Sequence, residues 1–264
     1  MITVAVCGCC GKMGQEVIKT ILAQKDLKLV AAIDTQNVGQ DIGFITTGKN
    51  CDIIVTDDLK ATLTQNKPMV VVDFTEPTGL LDKIKVYQET KTASVIGTTG
   101  LSDSDIKWIE QSVQQTKTGC LIAPNFSIGA ILSMRFAAMA GKYFHNAEII
   151  EFHHNQKKDA PSGTALKTAD LMQDAYSSFT EGNCAETETV AGARGGVTSA
   201  NIHIHSVRIP GIMASQEILF GATGQTLTIR HDTFNRSCYM SGVLLGIKKM
   251  AESAEFIYGL EKLI

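Results

Sequence analysis

The densest chemistry in the chain lies in one stretch, EFHHNQKKDAPSGTA, running from Glu151 to Ala165. It holds two histidines, two lysines, an aspartate and a Ser-Gly-Thr step. Histidine gives or takes a proton near neutral pH, and lysine is a compact cation suited to a carboxylate or to a second proton transfer. Pro161 keeps the residue before it out of a helix and Ser162 fits an N-cap, so a helix is expected from Gly163 onward. No Glu or Gln stands three residues after Ser162 to close a capping box, which leaves the amides of Gly163 and Thr164 for an anion. A carboxylate is the natural small anion for such a place. Reduction of an unsaturated acid uses these parts together: once hydride reaches one carbon of a conjugated system, a nearby acid must protonate the product. His153, His154 and Lys157 are the candidates, and a strand here would turn the two histidines to opposite faces and so to different tasks. A bare Lys-Lys-Asp run is usually a solvated surface; the adjoining histidines and the open helix start favour chemistry.

A second signal is VAVCGCCGKMG, with Gly8, Gly11 and Gly14 between a strand and a helix. Such a turn lets backbone amides approach a pyrophosphate at the positive end of a helix. The spacing is GxxGxxG, with Cys10 at the middle position of the commoner GxGxxG. Asp34 ends the next strand twenty residues beyond Gly14, where a carboxylate can accept both ribose hydroxyls of NAD and would repel a 2′-phosphate. The bland alternative is an empty glycine turn with a solvated aspartate, and the register of strand, turn, helix and acid argues against it. Three later strand ends, DFTEP (Asp73 to Pro77), GTTG (Gly97 to Gly100) and APNFS (Ala123 to Ser127), fall where an open parallel sheet places its ligand crevice.

The elements that must carry these motifs alternate through the first half. ITVAVC, LKLVAAID, CDIIV, MVVVDF, ASVIG and GCLIA are short apolar runs rich in β-branched residues, separated by helix-like segments such as Lys12 to Ala23 and Ser102 to Gln115. Ser102 and Asp105 form a capping-box pattern for the second. Buried strands alternating with helices imply an α/β doubly wound parallel sheet. After Pro124 the texture changes. IGAILSMRFAAMAGKYF reads as a long apolar helix and EIIEFHH as a strand; a second helix runs to about Tyr176, and Gly192, Gly195 and Gly196 mark a flexible loop. NIHIHSVRI, QEILFG and TLTIRHD read as consecutive, antiparallel strands of a different sheet, and a closing helix is expected over roughly Cys238 to Phe256. The division expected is a dinucleotide-binding domain over 1–124, completed by the helical 234–264, and a second α+β domain over 125–233 with a mixed or antiparallel sheet for substrate binding and oligomerisation.

With 264 residues, 44% hydrophobic, 19% charged and a net charge of −3, the chain has the balance of a globular protein and no basic run to neutralise phosphates, so nucleic acid is not an expected partner. It opens directly on a strand and has no apolar run of membrane-spanning length, which predicts a cytoplasmic protein with no membrane partner. The seven cysteines, Cys7, Cys9, Cys10, Cys51, Cys120, Cys184 and Cys238, are odd in number and do not fall into two paired CxxC motifs, which predicts reduced thiols and no metal site. Cys9 and Cys10 read as small residues fitting a tight turn.

The Glu151 to Ala165 stretch resembles the signature of the dihydrodipicolinate reductase family of lysine and diaminopimelate biosynthesis, E-x-H-H-x-x-K-x-D-A-P-S-G-T-A, now called 4-hydroxy-tetrahydrodipicolinate reductases. The likeness extends over essentially the whole chain through GxxGxMG, GTTG, APNFS, HSVRIPG and a late IRH. It implies a Rossmann-like first domain and reduction of 4-hydroxy-tetrahydrodipicolinate to tetrahydrodipicolinate by NADH or NADPH. It implies His153 as proton donor, with Lys157 as the second catalytic residue. His154, Gly163 and Thr164 would hold the substrate dicarboxylate. Gly8, Cys9, Cys10, Gly11, Lys12, Met13, Asp34, Gly97, Thr98, Thr99, Ala123, Pro124, Asn125 and Phe126 would hold the dinucleotide, in a homotetramer built on the second domain's sheet. Three positions depart from the family's habit: Lys12 stands for a frequent arginine, Thr35 for an arginine that can hold a 2′-phosphate, and Glu76 for a common basic residue. Asp34 followed by Thr35 favours NADH, with dual use open. The alternatives are a metal-dependent hydrolase using His153 and His154 with His203 and His205, a nicotinamide-binding sensor without catalysis, and a related reductase acting on another cyclic dicarboxylate.

Overall fold

A computed structural model describes residues 1–180 and 187–264; Cys184 lies outside the described residues. The chain divides into two compact units, Met1–Ser127 with Tyr239–Ile264, and Ile128–Cys238.

The first unit is a parallel sheet flanked by helices. Its strands in chain order are β1 (Ile2–Cys7), β2 (Leu27–Ile33), β3 (Val55–Thr56), β4 (Val70–Asp73), β5 (Ala93–Ile96), β6 (Cys120–Ile122) and, from the end of the chain, β12 (Phe256–Tyr258). They lie in the order β12-β6-β5-β4-β1-β2-β3, and every pairing is parallel. Successive strands step outward one way from β1 and the other way from β4, so the switch point of this Rossmann-like sheet lies between β1 and β4. Val4, Val6, Val70, Val71, Val72 and Val95 are fully buried, as expected of strands covered on both faces. Helix α1 (Lys12–Ala23) buries Gly14, Val17, Ile18 and Ile21 as one stripe. Between β2 and β5 come α2 (Ile42–Thr47), α3 (Leu59–Asn66) and α4 (Leu80–Glu89). Helix α5 (Asp103–Thr116) starts with the expected Ser102–Asp105 capping box.

Two expectations change here. CDIIV supplies only the two-residue strand β3. The closing segment is not one helix: a 3-10 turn (Arg236–Tyr239) leads into α8 (Met240–Met250), and Phe256–Tyr258 becomes the edge strand β12. Gly242 and Gly246 let α8 lie close, since a Cβ on Gly242 would sit 2.1 Å from the Phe126 carbonyl oxygen.

The second unit is a mixed sheet with two helices on one face. Helix α6 (Ile128–Gly141) is followed by β7 (Asn146–His153) and α7 (Gly163–Ala175). Then come β8 (Gly196–Val197), β9 (His203–Arg208), β10 (Ala214–Ala222) and β11 (Gln225–Thr233), in the order β11-β10-β7-β9-β8. The hairpin β10–β11 is antiparallel as expected, and β9 runs opposite to β10 as expected but is not its neighbour: β7 lies between them and pairs with β9 in parallel, and part of the expected glycine loop forms β8. Alternation along β7 puts Ala147, Ile149 and Glu151 in the interior with Ile218 and Phe220, under α6 and α7, while Glu148, Ile150 and Phe152 face the other way.

No helix among the described residues is long and apolar enough to cross a membrane.

Candidate active site

In the first unit, four loops that leave the C-terminal ends of neighbouring strands meet. Gly8 turns the chain out of β1 with φ 75°, a left-handed conformation that favours glycine. A Cβ on Gly14 would come within 2.0 Å of the Gly8 carbonyl oxygen, so α1 can lie this close to the turn only with glycine there. Asp34 locks the same turn: its Oδ2 accepts from the Cys10 amide at 2.9 Å and its Oδ1 from the Gln36 amide at 3.0 Å. A carboxylate offers about four acceptor positions, so room remains for two hydroxyls. The amides of Lys12 and Met13, at the start of α1, have no acceptor among the described residues. Backbone donors at a helix start, a glycine cradle closed to side chains and a half-buried carboxylate fit a dinucleotide.

The other strand ends brace this crevice. Asp73 is fully buried and accepts from the Thr75 amide (2.8 Å), the Thr75 hydroxyl (2.6 Å) and the Tyr87 hydroxyl (2.7 Å). Lys83 Nζ donates to the same Thr75 hydroxyl at 2.5 Å. The Gly97 amide reaches the Asp73 carbonyl at 2.8 Å and the Thr98 hydroxyl the Thr75 carbonyl at 2.7 Å. The Ala123 amide reaches the Ile96 carbonyl at 3.0 Å, and Phe126 packs on Phe74 with ring centroids 5.6 Å apart. The buried Asp73, Thr75 and Tyr87 network escaped sequence reading, for only DFTEP as a strand end marked it. Thr99 and Pro124 are exposed beside these loops.

Cys9 is buried and Cys10 half-buried, with sulfurs 3.9 Å apart. Burial first and Cys10 second push the Cys9 thiol well above its ordinary range, so it stays protonated. Together with Asp34 these thiols are the single group of three or more among the described residues whose metal-ligating atoms all lie within 4.8 Å of one another.

In the second unit, His153 is the last residue of β7 and His154 the first after it, exposed. Glu151, two residues back on the same face, accepts from His153 Nδ1 at 2.5 Å. Arg208, directly opposite His153 on β9, grips Glu151 with both terminal nitrogens, at 2.6 and 3.0 Å. The Ser162 amide donates to Glu151 Oε1 at 3.3 Å. Burial works to raise the Glu151 pKa, and hydrogen bonds from His153, Arg208 and Ser206 overcome it, holding the group down to about 2. Glu151 is therefore an anion with 1% of its side chain exposed.

Ser162 is the N-cap of α7, its hydroxyl accepting from the Ala165 amide at 3.2 Å. The amides of Gly163 and Thr164 have no acceptor among the described residues. The Ala160–Pro161 peptide is cis. Lys157 makes no direct contact with His153: its Nζ is held by the Asp159 carboxylate at 2.6 and 2.8 Å, and the Asp159 carbonyl accepts from Arg208 at 2.9 Å. Lys157 also holds the Asp159 carboxyl below its usual pKa. Glu151, Arg208 and Asp159 were not singled out from sequence. The signals available were the two-residue step from Glu151 to His153 and the arginine of HSVRIPG.

His203 and His205 lie on the opposite face of the same sheet, with Glu148. His205 Nε2 meets Glu148 at 2.8 Å and His203 Nδ1 meets the Arg194 carbonyl at 2.7 Å. The sheet therefore separates them from His153, and the four-histidine centre that a metal-dependent hydrolase would need is not assembled.

The family model described as dihydrodipicolinate reductase, N-terminus, matches residues 2–126, and that for the C-terminus matches residues 129–264. A 4-hydroxy-tetrahydrodipicolinate reductase of Gloeothece citriformis is 48% identical over 100% of this chain and 98% of its own. The enzyme of that name from Desulfitobacterium hafniense is 47% identical over the same shares. The solved structure of a dipicolinate-bound dihydrodipicolinate reductase from Paenisporosarcina sp. TG-14 superposes with a TM-score of 0.89 at 41% identity, covering all of both chains. An amine dehydrogenase from Mycobacterium smegmatis shares the fold alone, at 14% identity over 98% of this chain and 95% of its own, with a TM-score of 0.68.

Proposed function

The chain belongs to the dihydrodipicolinate reductase family, and from that premise we propose that it reduces 4-hydroxy-tetrahydrodipicolinate to tetrahydrodipicolinate with a nicotinamide dinucleotide, as a step toward diaminopimelate and lysine. The observation that carries the chemistry is one buried carboxylate, Glu151, that touches both His153 and the start of an anion-accepting helix.

When bound, the dinucleotide supplies the hydride. Gly8 to Met13, Asp34, Gly97 to Thr99 and Ala123 to Phe126 hold it, in a dinucleotide-binding part of about 1–124 completed by 234–264. The part over 125–233 takes the cyclic dicarboxylate: one carboxylate on the Gly163 and Thr164 amides, with His154 and Lys157 supplying polar and cationic contacts. His153 delivers the proton that completes the reduction, from Nε2, because Nδ1 is engaged by Glu151. Lys157, swung from Asp159, is the second catalytic group. Asp34, an anion where the ribose 2′-position falls, with Thr35 rather than a cation after it, favours NADH over NADPH. We assign the enzyme to the cytoplasm and to a homotetramer joined through the second sheet. Its uncovered face, with Ile150, Phe152, Val207 and Leu219 among charged pairs, supports that assignment.

The test follows nicotinamide absorbance as the purified chain meets substrate made in place from pyruvate and aspartate semialdehyde by the preceding synthase. NADH and NADPH are run side by side. Oxidation dependent on every component is expected, with the larger kcat/KM for NADH; tight dinucleotide binding without oxidation would move the assignment to another reductase or a sensor. Lys157→Ala is expected to damage both substrate KM and kcat, and an effect confined to dinucleotide affinity would remove Lys157 from the site.

A further inference from the structure

We propose that Glu151 is a positioning residue of the reaction: it keeps the proton on Nδ1 of His153, so that Nε2 alone gives and regains the transferred proton, and it registers His153 against the start of α7. The inference rests on the reading of His153 as proton donor.

Four sets of donors converge on the carboxylate of Glu151: the Arg208 fork, His153 Nδ1, the Ser162 amide and the Ser206 hydroxyl. An ionised carboxylate only accepts, so His153 Nδ1 must be the donor. In the neutral ring Nε2 is then the acceptor, and in the imidazolium both nitrogens donate while Nδ1–H keeps its anionic partner. The ring therefore holds one orientation through a full cycle of proton loss and gain. Arg208 makes the arrangement rigid. It is itself fixed by the Val207 carbonyl at 2.8 Å and the Asp159 carbonyl at 2.9 Å, and the Asp159 side chain holds Lys157. One ion pair thus carries both His153 and the loop bearing Lys157.

Glutamine at 151 would reverse this order. Arg208 Nη2 and the Ser162 amide, donors only, keep the amide oxygen at the Oε1 position, which leaves the NH2 group at the Oε2 position facing both His153 Nδ1 and the Arg208 Nη1 donor. That geometry demands a lone pair on Nδ1, moves the neutral ring's proton to Nε2 and removes the acceptor that the imidazolium needs. Turnover falls although nothing that touches substrate or dinucleotide has been deleted.

The experiment is long-range proton–nitrogen NMR on the full-length chain labelled with 15N-histidine, with the His153 signals identified by their loss in His153→Gln. The native neutral ring is expected as the Nδ1–H tautomer. In Glu151→Gln the tautomer reverses and kcat drops by about 100-fold or more, the scale of a general acid held in the wrong tautomer. Substrate KM and NADH affinity stay within about threefold, since general-acid loss acts on turnover, and Glu151→Asp recovers at least about tenfold of the lost kcat. A native Nε2–H tautomer, or native kcat in Glu151→Gln, would overturn the positioning role and leave His153 as donor untouched. Near-native turnover in His153→Gln would instead remove the donor reading itself. Should Glu151→Gln not fold, the tautomer of the native chain decides alone.

Discussion

The same three residue types cluster about a β7 glutamate on each face of the second sheet. On the helix-covered face Glu151 holds His153 and Arg208; on the open face Glu148 holds His205 at 2.8 Å and Arg194 at 2.7 Å. Composition and contact distances are nearly the same, and the surroundings are not. Glu151 has 1% of its side chain exposed and Glu148 33%. Burial raises the pKa of both, and the arginine and histidine contacts lower it again, to about 2 for Glu151 and below its usual value for Glu148. The inner cluster has a further donor from the backbone of α7, so its carboxylate cannot rotate away without leaving a buried amide unpaired. The outer cluster has water as an alternative partner. Desolvation and a fixed backbone anchor hold the inner cluster in one arrangement, and the same residue types without those form an ordinary surface network.

Substitution in pairs tests that contrast. The largest difference is expected between His153→Gln, which should lower kcat by about two orders of magnitude with dinucleotide affinity intact, and His205→Gln, whose per-site kcat should stay within about twofold. Equal losses in steady-state assays would erase the distinction. Next come the arginines. Arg208→Met strands a buried carboxylate and should cost about 3–5 kcal/mol in denaturant unfolding, while Arg194→Met should cost about 0–1 kcal/mol. The third contrast is acid sensitivity. The Glu151 pKa lies below its unfolded value of 4.5, so its contribution is complete above that value and is lost as pH falls toward about 2. It amounts to something on the order of 3 kcal/mol. Stability of the native chain should fall steeply through that window and that of Glu151→Gln less, the two curves converging at low pH; parallel curves would deny Glu151 its depressed pKa. The smallest effect is that of Glu148→Gln, within about 1 kcal/mol on unfolding. If the open face joins subunits, its consequence should appear in sedimentation rather than in kcat, and a per-site kcat change without a size change would break the comparison.

Much of the fold was legible because its signals are local. The capping box at Ser102, the N-cap at Ser162 and the glycine spacing from Gly8 to Gly14 each depend on residues a few positions apart. What was not legible depends on partners far along the chain. The seat of β9 beside β7 rather than beside β10 is set by partners on both sides, and nothing in NIHIHSVRI distinguishes one neighbour from the other. Phe256–Tyr258 is too short to outweigh the helical pattern before it, and only the free edge of β6 makes it a strand. The glycine turn and the Glu151 to Ala165 stretch stand out in the sequence, but the hydrogen bond from Cys10 to Asp34 spans 24 residues and that from Arg208 to Glu151 spans 57. Sequence thus pointed to His153 while its supporting carboxylate looked like one more strand residue. It also read CDIIV as a full strand, whereas Asp52 adopts a left-handed φ of 61°, Ile54 makes only an isolated bridge to Asp41, and Val55–Thr56 alone pair with β2.

The edge strand β12 has a consequence in time as well as in space. The first sheet is finished by residues that follow the entire second unit in the chain. During synthesis β6 therefore leaves the ribosome with one side of its backbone unpaired, and stays so until Phe256 emerges. By then every residue of the inserted unit has been made and its own sheet can close. The chain begins with the dinucleotide fold but completes it last, so a nascent chain halted anywhere within residues 128–238 carries an open parallel edge exposed to its neighbours.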